Sequence, residues 1–427
     1  MKRTLLLVLL FLITLGHVFS QNKDYAQSVI DTLCSHSFYG RGYVNRGDSL
    51  ASEFIRQEYE RIGLSSVNND FFQTFTHNVN VFPGEMRFVF DESALRPGYD
   101  FLVDPASGPA NGKLDFVELL PKEIITSSWL EKIKKSKSKA VGIDMARVDS
   151  LGDRDKKKVR EFIEYLKFEN SIPSKSILIF NEGKQPWSVS SNQAYRSVIN
   201  VFKDSIDSFP ESIRIDIEAE YIENYRSKNV IGYIRGTENP DSILVVCAHY
   251  DHLGMMGKDA MFPGANDNAS GTALLLDLAN FFQSHPPKYS IYFIAFAAEE
   301  AGLLGSQYFV QNPLFDLSRI KFLVNLDLAG TGIDGITVVN GKIFPQTFDR
   351  LVTLNDRHHY LKTVSSRGEA CNSDHCPFYQ KGVKCFFIYT LGGTKYYHDL
   401  FDDSETLELN EYSNYFSLVR DFLLDIE

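Results

Sequence analysis

Side chains that can bind a divalent metal ion follow several apolar runs in the second half of the sequence. Each of these side chains is an imidazole or a carboxylate, and most come at the point where an apolar run ends. The residues concerned are His249, Asp251, Asp267, Glu299, Glu300, Asp327 and His398. Imidazole nitrogen combined with carboxylate oxygen suits zinc or a related divalent ion better than calcium or magnesium.

The spacing of these residues favours a catalytic site over a structural one. Structural zinc sites usually close on short loops, whereas these candidates are spread from residue 249 to residue 398. Ligands assembled over such intervals on a rigid scaffold leave room for a substrate. Two neighbouring ions would share one carboxylate, and Asp267, on a glycine-rich loop that leads into a helix, is the natural bridge.

Each residue also has a simpler interpretation. A single histidine or aspartate after a strand is more often a hydrogen-bonded surface group, and Glu299 and Glu300 could form the acidic first turn of a helix. Clustering so many carboxylates at the ends of buried strands would, however, be costly without cations to neutralise them. The joint pattern therefore favours a metal site.

The elements that must position these groups are strands and helices in alternation. Nearly continuous apolar runs at 243–248, 291–297, 322–326 and 385–389 indicate strands buried on both faces. Helical patterns at 271–282 and 302–310 lie between them. This alternation predicts an α/β fold with a mostly parallel central sheet and helices on both faces. In such sheets ligands bind outside the carboxyl ends of the strands, where the candidate residues lie.

Four segments are expected along the chain. Residues 1–20 have Lys2 and Arg3 before an apolar run, which is typical of a signal peptide cleaved near Ser20. A membrane anchor would need a longer run than the one that Gly16 and His17 end. Residues 21–69 form a helical lead-in, with a helix over 48–62 and Asp48 or Ser49 as its N-cap. Residues 70–222 form a smaller, mostly β insertion, and 223–427 the domain with the candidate site.

The insertion carries no catalytic groups of its own in this interpretation. A charged helical stretch covers 155–168, and the segment 132–139 contains five lysines. These lysines could bind a polyanion, but a solvated helix end or loop is favoured because acidic residues surround them.

Composition restricts the function classes. With 427 residues, 44% hydrophobic content and 23% charged residues, the chain is globular and has room for two domains. A net charge of -11 argues against a nucleic-acid partner. Five cysteines are too few for a disulfide scaffold. No later segment is apolar and long enough to span a membrane, so we expect a soluble, exported protein in the periplasm or outside the cell.

Together, the motifs resemble those of metallopeptidase family 28, which includes exported bacterial two-zinc aminopeptidases, glutamate carboxypeptidase and glutaminyl cyclases. The matching motifs, in order, are HYDH at 249–252, GANDNASG at 264–271, AAEEAGLLGS at 297–306, NLDLAG at 325–330, SDHCPF at 373–378 and YHDLFDD at 397–403. The resemblance covers residues 224–427 strongly. Residues 40–64 resemble the family's lead-in segment, and the middle region resembles a protease-associated insertion.

The resemblance implies a zinc-exopeptidase fold, phosphorylase/hydrolase-like, with two Zn²⁺ ions per chain. It assigns His249 and Asp327 to one zinc, Glu300 and His398 to the other, and Asp267 as the bridge. Asp251 would hold His249 in the right tautomer, and Glu299 would be the general base.

The resemblance leaves several smaller points open. Cys371 and Cys376 are close enough for a disulfide, and whether they pair is left open. His252 and His375 are expected to support the ligands or to lie at the surface, and Cys247 is expected to be a packing residue.

The reaction expected is removal of N-terminal residues from peptides with a free N-terminus. A carboxypeptidase would need a cation for the terminal carboxylate, and Arg367 is the one arginine near the late motifs. A carboxypeptidase or dipeptidase, a single-zinc glutaminyl cyclase and a non-catalytic binding ectodomain remain the alternatives.

Overall fold

The computed structural model describes residues 23–135, 140–172 and 174–426. The predicted signal peptide lies outside these residues. The helices of the described ranges are α1 Lys23–Cys34, α2 Gly47–Ile62, α3 Pro121–Ile125, α4 Trp129–Lys135, α5 Met145–Asp149, α6 Asp153–Phe168, α7 Gly271–Ser284, α8 Leu304–Gln311, α9 Pro345–His358, α10 His375–Gln380 and α11 Tyr412–Asp425. None of these described helices is long and apolar enough to span a membrane.

The strands form two large sheets and one small hairpin. They are β1 Ser65–Ser66, β2 Phe72–Val81, β3 Met86–Phe90, β4 Ser93–Leu95, β5 Phe101–Val103, β6 Ala110–Glu118, β7 Ala140–Asp144, β8 Ser176–Asn181, β9 Ser197–Phe202, β10 Ser212–Ile217, β11 Glu220–Ile234, β12 Asn239–His249, β13 Gly254–Met256, β14 Ala260–Phe262, β15 Tyr289–Phe296, β16 Ile320–Leu326, β17 Gly335–Val339, β18 Val364–Ser366 and β19 Cys385–Leu391.

The larger sheet confirms the predicted α/β fold. Among the described residues its order is β1-β11-β15-β12-β16-β19-β17-β18, with β2 also paired to β11. Its centre, β15-β12-β16-β19, is parallel, as the continuous apolar runs predicted. Antiparallel strands β11 and β17 flank this centre.

Helices cover both faces of this sheet. Side chains of β12 alternate: Leu244, Val246 and Ala248 join the core beneath α1, α2, α7 and α11. Their neighbours Ile243, Val245 and Cys247 join the core beneath α8 and α10. Because both faces are buried, β12 has no polar side chain between Ile243 and His249.

The predicted helix of the lead-in forms, with one difference at its start. Helix α2 begins at Gly47, so Asp48, expected as the N-cap, lies inside it. The Asp48 carboxylate accepts hydrogen bonds from the hydroxyls of Tyr225 and Ser227, which fix the helix to β11. At the other end Gly63 adopts φ 89°, a left-handed conformation that glycine takes without strain, and its N–H bonds the carbonyl of Tyr59.

The insertion is built on the second sheet, of order β4-β3-β10-β6-β7-β8-β9-β5. Its central strands β6-β7-β8-β9 are parallel, and helices α3 to α6 add to the core on one face. The predicted helix at 155–168 is present as α6. Strand β2, inside the segment predicted as the insertion, pairs with β11 in the larger sheet instead. The lysine-rich segment begins in α4, and residues 136–139 lie outside the described ranges.

The second face of the insertion sheet packs against the other domain. The core on this face combines insertion residues such as Phe88, Phe101 and Trp187 with residues of the larger domain. The latter are Leu253, Met256, Ala260, Phe262 and Leu400. The two domains therefore share a hydrophobic core, and hairpin β13–β14 and the segment after His398 are part of it.

Candidate active site

Three parallel strands bring their C-terminal residues to one edge of the larger sheet. His249 is the last residue of β12 and pairs in register with Phe296, the last residue of β15. Glu299 and Glu300 follow β15, and Asp327 follows β16. The predicted convergence of these groups at one edge is what the register produces.

Asp267 lies between two imidazoles. Its Oδ1 is 3.3 Å from Nε2 of His249, and its Oδ2 is 3.2 Å from Nε2 of His398. Oδ1 of Asp327 lies 3.5 Å from Nε2 of His249, and Oε2 of Glu300 lies 3.3 Å from Nε2 of His398. One carboxylate thus contacts two imidazole–carboxylate pairs, one oxygen toward each.

Both imidazoles are oriented by backbone carbonyls. Nδ1 of His249 donates to the carbonyl of Asp251 at 3.1 Å, and Nδ1 of His398 donates to the carbonyl of Trp187 at 2.7 Å. Because a carbonyl only accepts, each Nδ1 carries the proton, and each Nε2 is left to a metal ion. The second carbonyl comes from the insertion, which we had expected to carry no catalytic groups of its own.

Asp251 acts on the site mainly through a neighbouring loop. Its carboxylate oxygen lies 3.8 Å from Nδ1 of His249, farther than its own carbonyl. The carboxylate instead accepts the backbone N–H groups of Glu299 at 3.1 Å and Glu300 at 3.3 Å. It therefore fixes the direction in which both glutamates leave β15.

Two groups of these side chains have the geometry to hold a metal ion. Ligand atoms of His249, Glu299 and Asp327 lie within 4.8 Å of one another, and so do those of His252, Asp267 and Glu300. The site thus offers two adjacent groups of imidazole and carboxylate donors, the chemistry that zinc prefers.

His252 is closer to this site than the sequence indicated. It is fully buried, and its Nδ1 lies 2.9 Å from Oε1 of Glu300. Its Nε2 is buried and has no hydrogen-bond partner among the residues that the structure describes. Its ring centroid is 5.7 Å from that of His398. This imidazole either supports Glu300 or adds a nitrogen donor beside it.

The charges of the cluster separate into two classes. Burial alone would lower the pKa of His398, but Glu300 and Asp267 raise it to about 11. Burial alone would raise the pKa of Glu300, yet His398 and His252 bring it to about 2. For Glu299, burial and the nearby Glu300 and Asp374 carboxylates raise the pKa well above its ordinary value. Glu299 is therefore the member of the pair that favours binding a proton.

The motif at residues 373–378 supplies Ser373 and Asp374, to which the sequence gave no role. The Ser373 hydroxyl donates to Oδ2 of Asp327 at 3.0 Å and accepts from the Asn325 amide at 2.7 Å. Asp374 is fully buried, and burial raises its pKa to about 7. Cys371 and Cys376 form a disulfide around these residues, which answers the open question of their pairing. His375 is buried, with Nε2 bonded to the carbonyl of Ala370.

Arg367, the arginine considered for a carboxylate clamp, is exposed. Its backbone N–H bonds the carbonyl of Val338 in β17. Val338 pairs with Ile388 of β19, which pairs with Leu326 of β16, so this bond lies two strands from the residue that precedes Asp327.

Comparisons with known proteins identify relatives of this chain. The sequence model of Peptidase family M28 matches residues 229–423. Aminopeptidase YwaD of Bacillus subtilis is 29% identical over 241 residues, which are 52% of this chain and 49% of that protein. The matched part therefore spans about half the length of this curated relative.

Two solved structures share the fold across both domains. The zinc aminopeptidase BSAP from Bacillus subtilis superposes with a TM-score of 0.67 at 20% identity, covering 94% of this chain and 94% of its own. An aminopeptidase from Aneurinibacillus sp. strain AM-1 gives a TM-score of 0.61 at 18% identity, with 94% and 93% covered. At these identities the likeness establishes the fold.

Proposed function

Because residues 229–423 belong to peptidase family M28, we propose that this chain is a zinc-dependent aminopeptidase that uses two zinc ions. The observation that carries the proposal is the position of Asp267, which directs one carboxylate oxygen to His249 and the other to His398. A carboxylate shared between two imidazole–carboxylate pairs is the arrangement that a two-ion hydrolytic site needs.

In this proposal the ligands divide between the two ions as the family resemblance implied. His249 and Asp327 would hold one ion, Glu300 and His398 would hold the other, and Asp267 would contribute one carboxylate oxygen to each. Zinc bound there would supply a Lewis acid that polarises the scissile carbonyl and lowers the pKa of a water molecule. Ser373 and the carbonyl of Trp187 keep Asp327 and His398 in orientation.

Glu299 acts as the general base in this proposal. It takes a proton from the attacking water and delivers it to the leaving amine of the cleaved peptide. The pKa of the Glu299 carboxyl is raised by burial, with further contributions from Glu300 and Asp374. Asp251 positions it through the backbone N–H.

Aminopeptidase activity is favoured over the alternatives by the charge of the site. Carboxylates attract the protonated amine of a peptide N-terminus, whereas Arg367, the arginine considered for a terminal carboxylate, is exposed to solvent. A glutaminyl cyclase with one zinc would not require Asp267 to face two imidazoles. A binding ectodomain without activity would not require the full ligand set.

The test is hydrolysis of amino-acyl arylamides by purified protein, before and after chelation and after zinc is restored. We expect about two zinc ions per chain, activity lost with the chelator, and cleavage of peptides with a free N-terminus but not of N-acetylated copies. Cleavage from the C-terminus of N-acetylated peptides would instead support a carboxypeptidase. One zinc per chain with release of pyroglutamyl products would support the cyclase.

Export is proposed from the first twenty residues of the sequence. Cleavage near Ser20 would give a mature chain that begins near Gln21. N-terminal sequencing of protein recovered from the periplasm or medium tests this, and an intact Met1 in that fraction would contradict it.

A further inference from the structure

Arg41 is a fully buried arginine of the lead-in segment. Its side chain bonds backbone next to the candidate ligands His249 and Asp267. Its Nε donates to the carbonyl of Tyr250 at 2.8 Å, Nη1 to that of Pro263 at 2.5 Å, and Nη2 to that of Gly264 at 2.7 Å. The guanidinium thus joins the segment after His249 to the loop that carries Asp267. It contacts no candidate ligand side chain through these bonds.

Two glycines allow this placement. A Cβ on Gly40 would lie 2.3 Å from the carbonyl oxygen of Phe262, and one on Gly42 would lie 2.5 Å from Cα of Gly254. Gly40 also adopts φ 62°, in the left-handed region. The backbone on either side of Arg41 therefore passes directly against hairpin β13–β14.

Asp402 binds the same loop as a hydrogen-bond acceptor, whereas Arg41 binds it as a donor. Its buried carboxylate accepts the backbone N–H of Asn266 at 2.9 Å and that of Asp267 at 3.0 Å. Its own carbonyl accepts the N–H of Ala265 at 2.9 Å. Arg41 therefore satisfies carbonyls of this loop, and Asp402 satisfies its N–H groups.

We propose that Arg41 and Asp402 are positioning residues that fix residues 263–267 so that the Asp267 carboxylate can be shared by two metal ions. The inference rests on the proposed two-zinc site and adds residues that touch neither metal nor substrate. Arg41 lies outside the segment that matches the peptidase family, so the lead-in becomes part of the metal centre.

Arg41→Lys tests the guanidinium. Lysine keeps the charge but has no planar fork, so it cannot reach the carbonyls of Tyr250, Pro263 and Gly264 together. We expect zinc affinity, measured on folded metal-free protein with a competing chelator, to fall about 10- to 100-fold. Activity should recover when zinc is raised, because the ligands themselves are intact.

Arg196→Lys is the matched control. Arg196 is also buried, and its guanidinium donates to the carbonyls of Leu166, Glu169, Ile172 and Ser174 in the insertion. Both substitutions replace a buried guanidinium group by an ammonium group, but Arg196→Lys should leave zinc affinity unchanged. Equal affinities for the two variants would overturn the inference while leaving the proposed function standing.

Asp402→Asn tests the other half and serves if Arg41→Lys does not fold. The amide keeps one oxygen but points a donor at the second N–H, so zinc affinity should again fall about 10- to 100-fold. Asp277→Asn, at a buried aspartate bonded to Tyr412, is its control and should bind zinc like the wild type. Wild-type affinity in Asp402→Asn would overturn the inference. A wild-type protein that binds no zinc would overturn the proposed function as well.

Discussion

Glu299 and Glu300 are adjacent glutamates with different expected roles. Their pKa shifts run in opposite directions, because Glu300 contacts His398 and His252 while Glu299 faces other carboxylates. Glu299→Gln should lower kcat about 10²- to 10⁴-fold, the usual contribution of a general base, with the zinc content unchanged. Arylamide hydrolysis combined with metal analysis measures both quantities.

Glu300→Gln provides the comparison one residue away. It removes a charged ligand instead of the base, so zinc should be lost from the protein together with activity. Loss of zinc in Glu299→Gln, or full activity in that variant, would contradict the assigned roles.

The candidate ligands could be predicted because they follow the strands of a recognisable pattern. His249, Glu300 and Asp327 come directly after or at the end of buried runs, and parallel strands bring such ends together. Arg41 and Trp187 could not be predicted in this way. Arg41 donates to backbone carbonyls of distant residues, and Trp187 offers its own carbonyl to His398. Such contacts form only in the folded chain and leave no pattern in the sequence.

At the scale of elements, the segment before β9 connects the insertion to the metal site. Trp187 stacks on Phe262 with ring centroids 4.6 Å apart, and its indole N–H donates to the carbonyl of Val103 at 2.7 Å. Lys184 pairs with Asp399 at 2.7 Å, next to His398. These contacts hold the carbonyl that orients His398.

Trp187→Ala should therefore weaken zinc binding about 10- to 100-fold by releasing that carbonyl. Trp129→Ala is the matched control, since Trp129 packs on Phe162 in the other core of the insertion. Both variants should be less stable, but only Trp187→Ala should change zinc affinity in a chelator competition. Equal affinities in the two variants would mean that the insertion does not orient His398.

Helix α7 carries a buried carboxyl that makes stability depend on pH. Burial raises the pKa of Asp277 from 3.8 to about 7. The folded state then holds the proton more tightly than the unfolded state, so this group's contribution is fully present below pH 3.8 and is lost as pH rises through about 7. The loss should be on the order of 2 to 4 kcal/mol.

Asp277→Asn should remove this dependence. The free energy of unfolding of the variant, relative to that of the wild type, should therefore be higher at pH 8 than at pH 4. Urea unfolding at several pH values measures the difference between the two proteins. Asp349→Asn, at an exposed position on α9, should leave the wild-type pH dependence unchanged. The same pH dependence of stability in wild type and Asp277→Asn would show that this carboxyl has the same pKa in the folded and the unfolded state.

The element boundaries show where a sequence pattern reaches its limit. Helices α2, α6 and α7 begin and end within a few residues of their predicted bounds because their apolar periodicity is local. The pairing of β2 with β11 was not predicted. Residues that meet across these two strands, such as His77 and Ser227, are 150 positions apart in the sequence, and no local pattern specifies their register.

At the scale of the whole molecule, the two domains share one hydrophobic core. Phe262 and Leu400 of the larger domain pack with Trp187 and Phe101 of the insertion. Unfolding the insertion would expose apolar surface of the domain that carries the metal ligands. The two domains should therefore unfold in a single cooperative transition.

Tryptophan fluorescence can test this coupling, because the chain has two tryptophans, Trp129 and Trp187, and both lie in the insertion. The candidate zinc ligands all lie in the other domain. Zinc at 100 times its Kd should stabilise the folded state by about 2.7 kcal/mol per site. Without zinc, the buried carboxylates also repel one another, so chelation should lower the midpoint of thermal unfolding.

If the domains are coupled, the midpoint followed by tryptophan fluorescence should fall with chelation as much as the midpoint followed by far-ultraviolet circular dichroism. Restoring zinc should raise both together. Arg196→Lys, which weakens the insertion alone, should lower both midpoints in the same way but leave the shift on chelation intact. The contrary result is a chelator that lowers the circular-dichroism midpoint and leaves the fluorescence midpoint unchanged. That result would show that the insertion unfolds independently, despite the core that it shares with the domain that carries the candidate ligands.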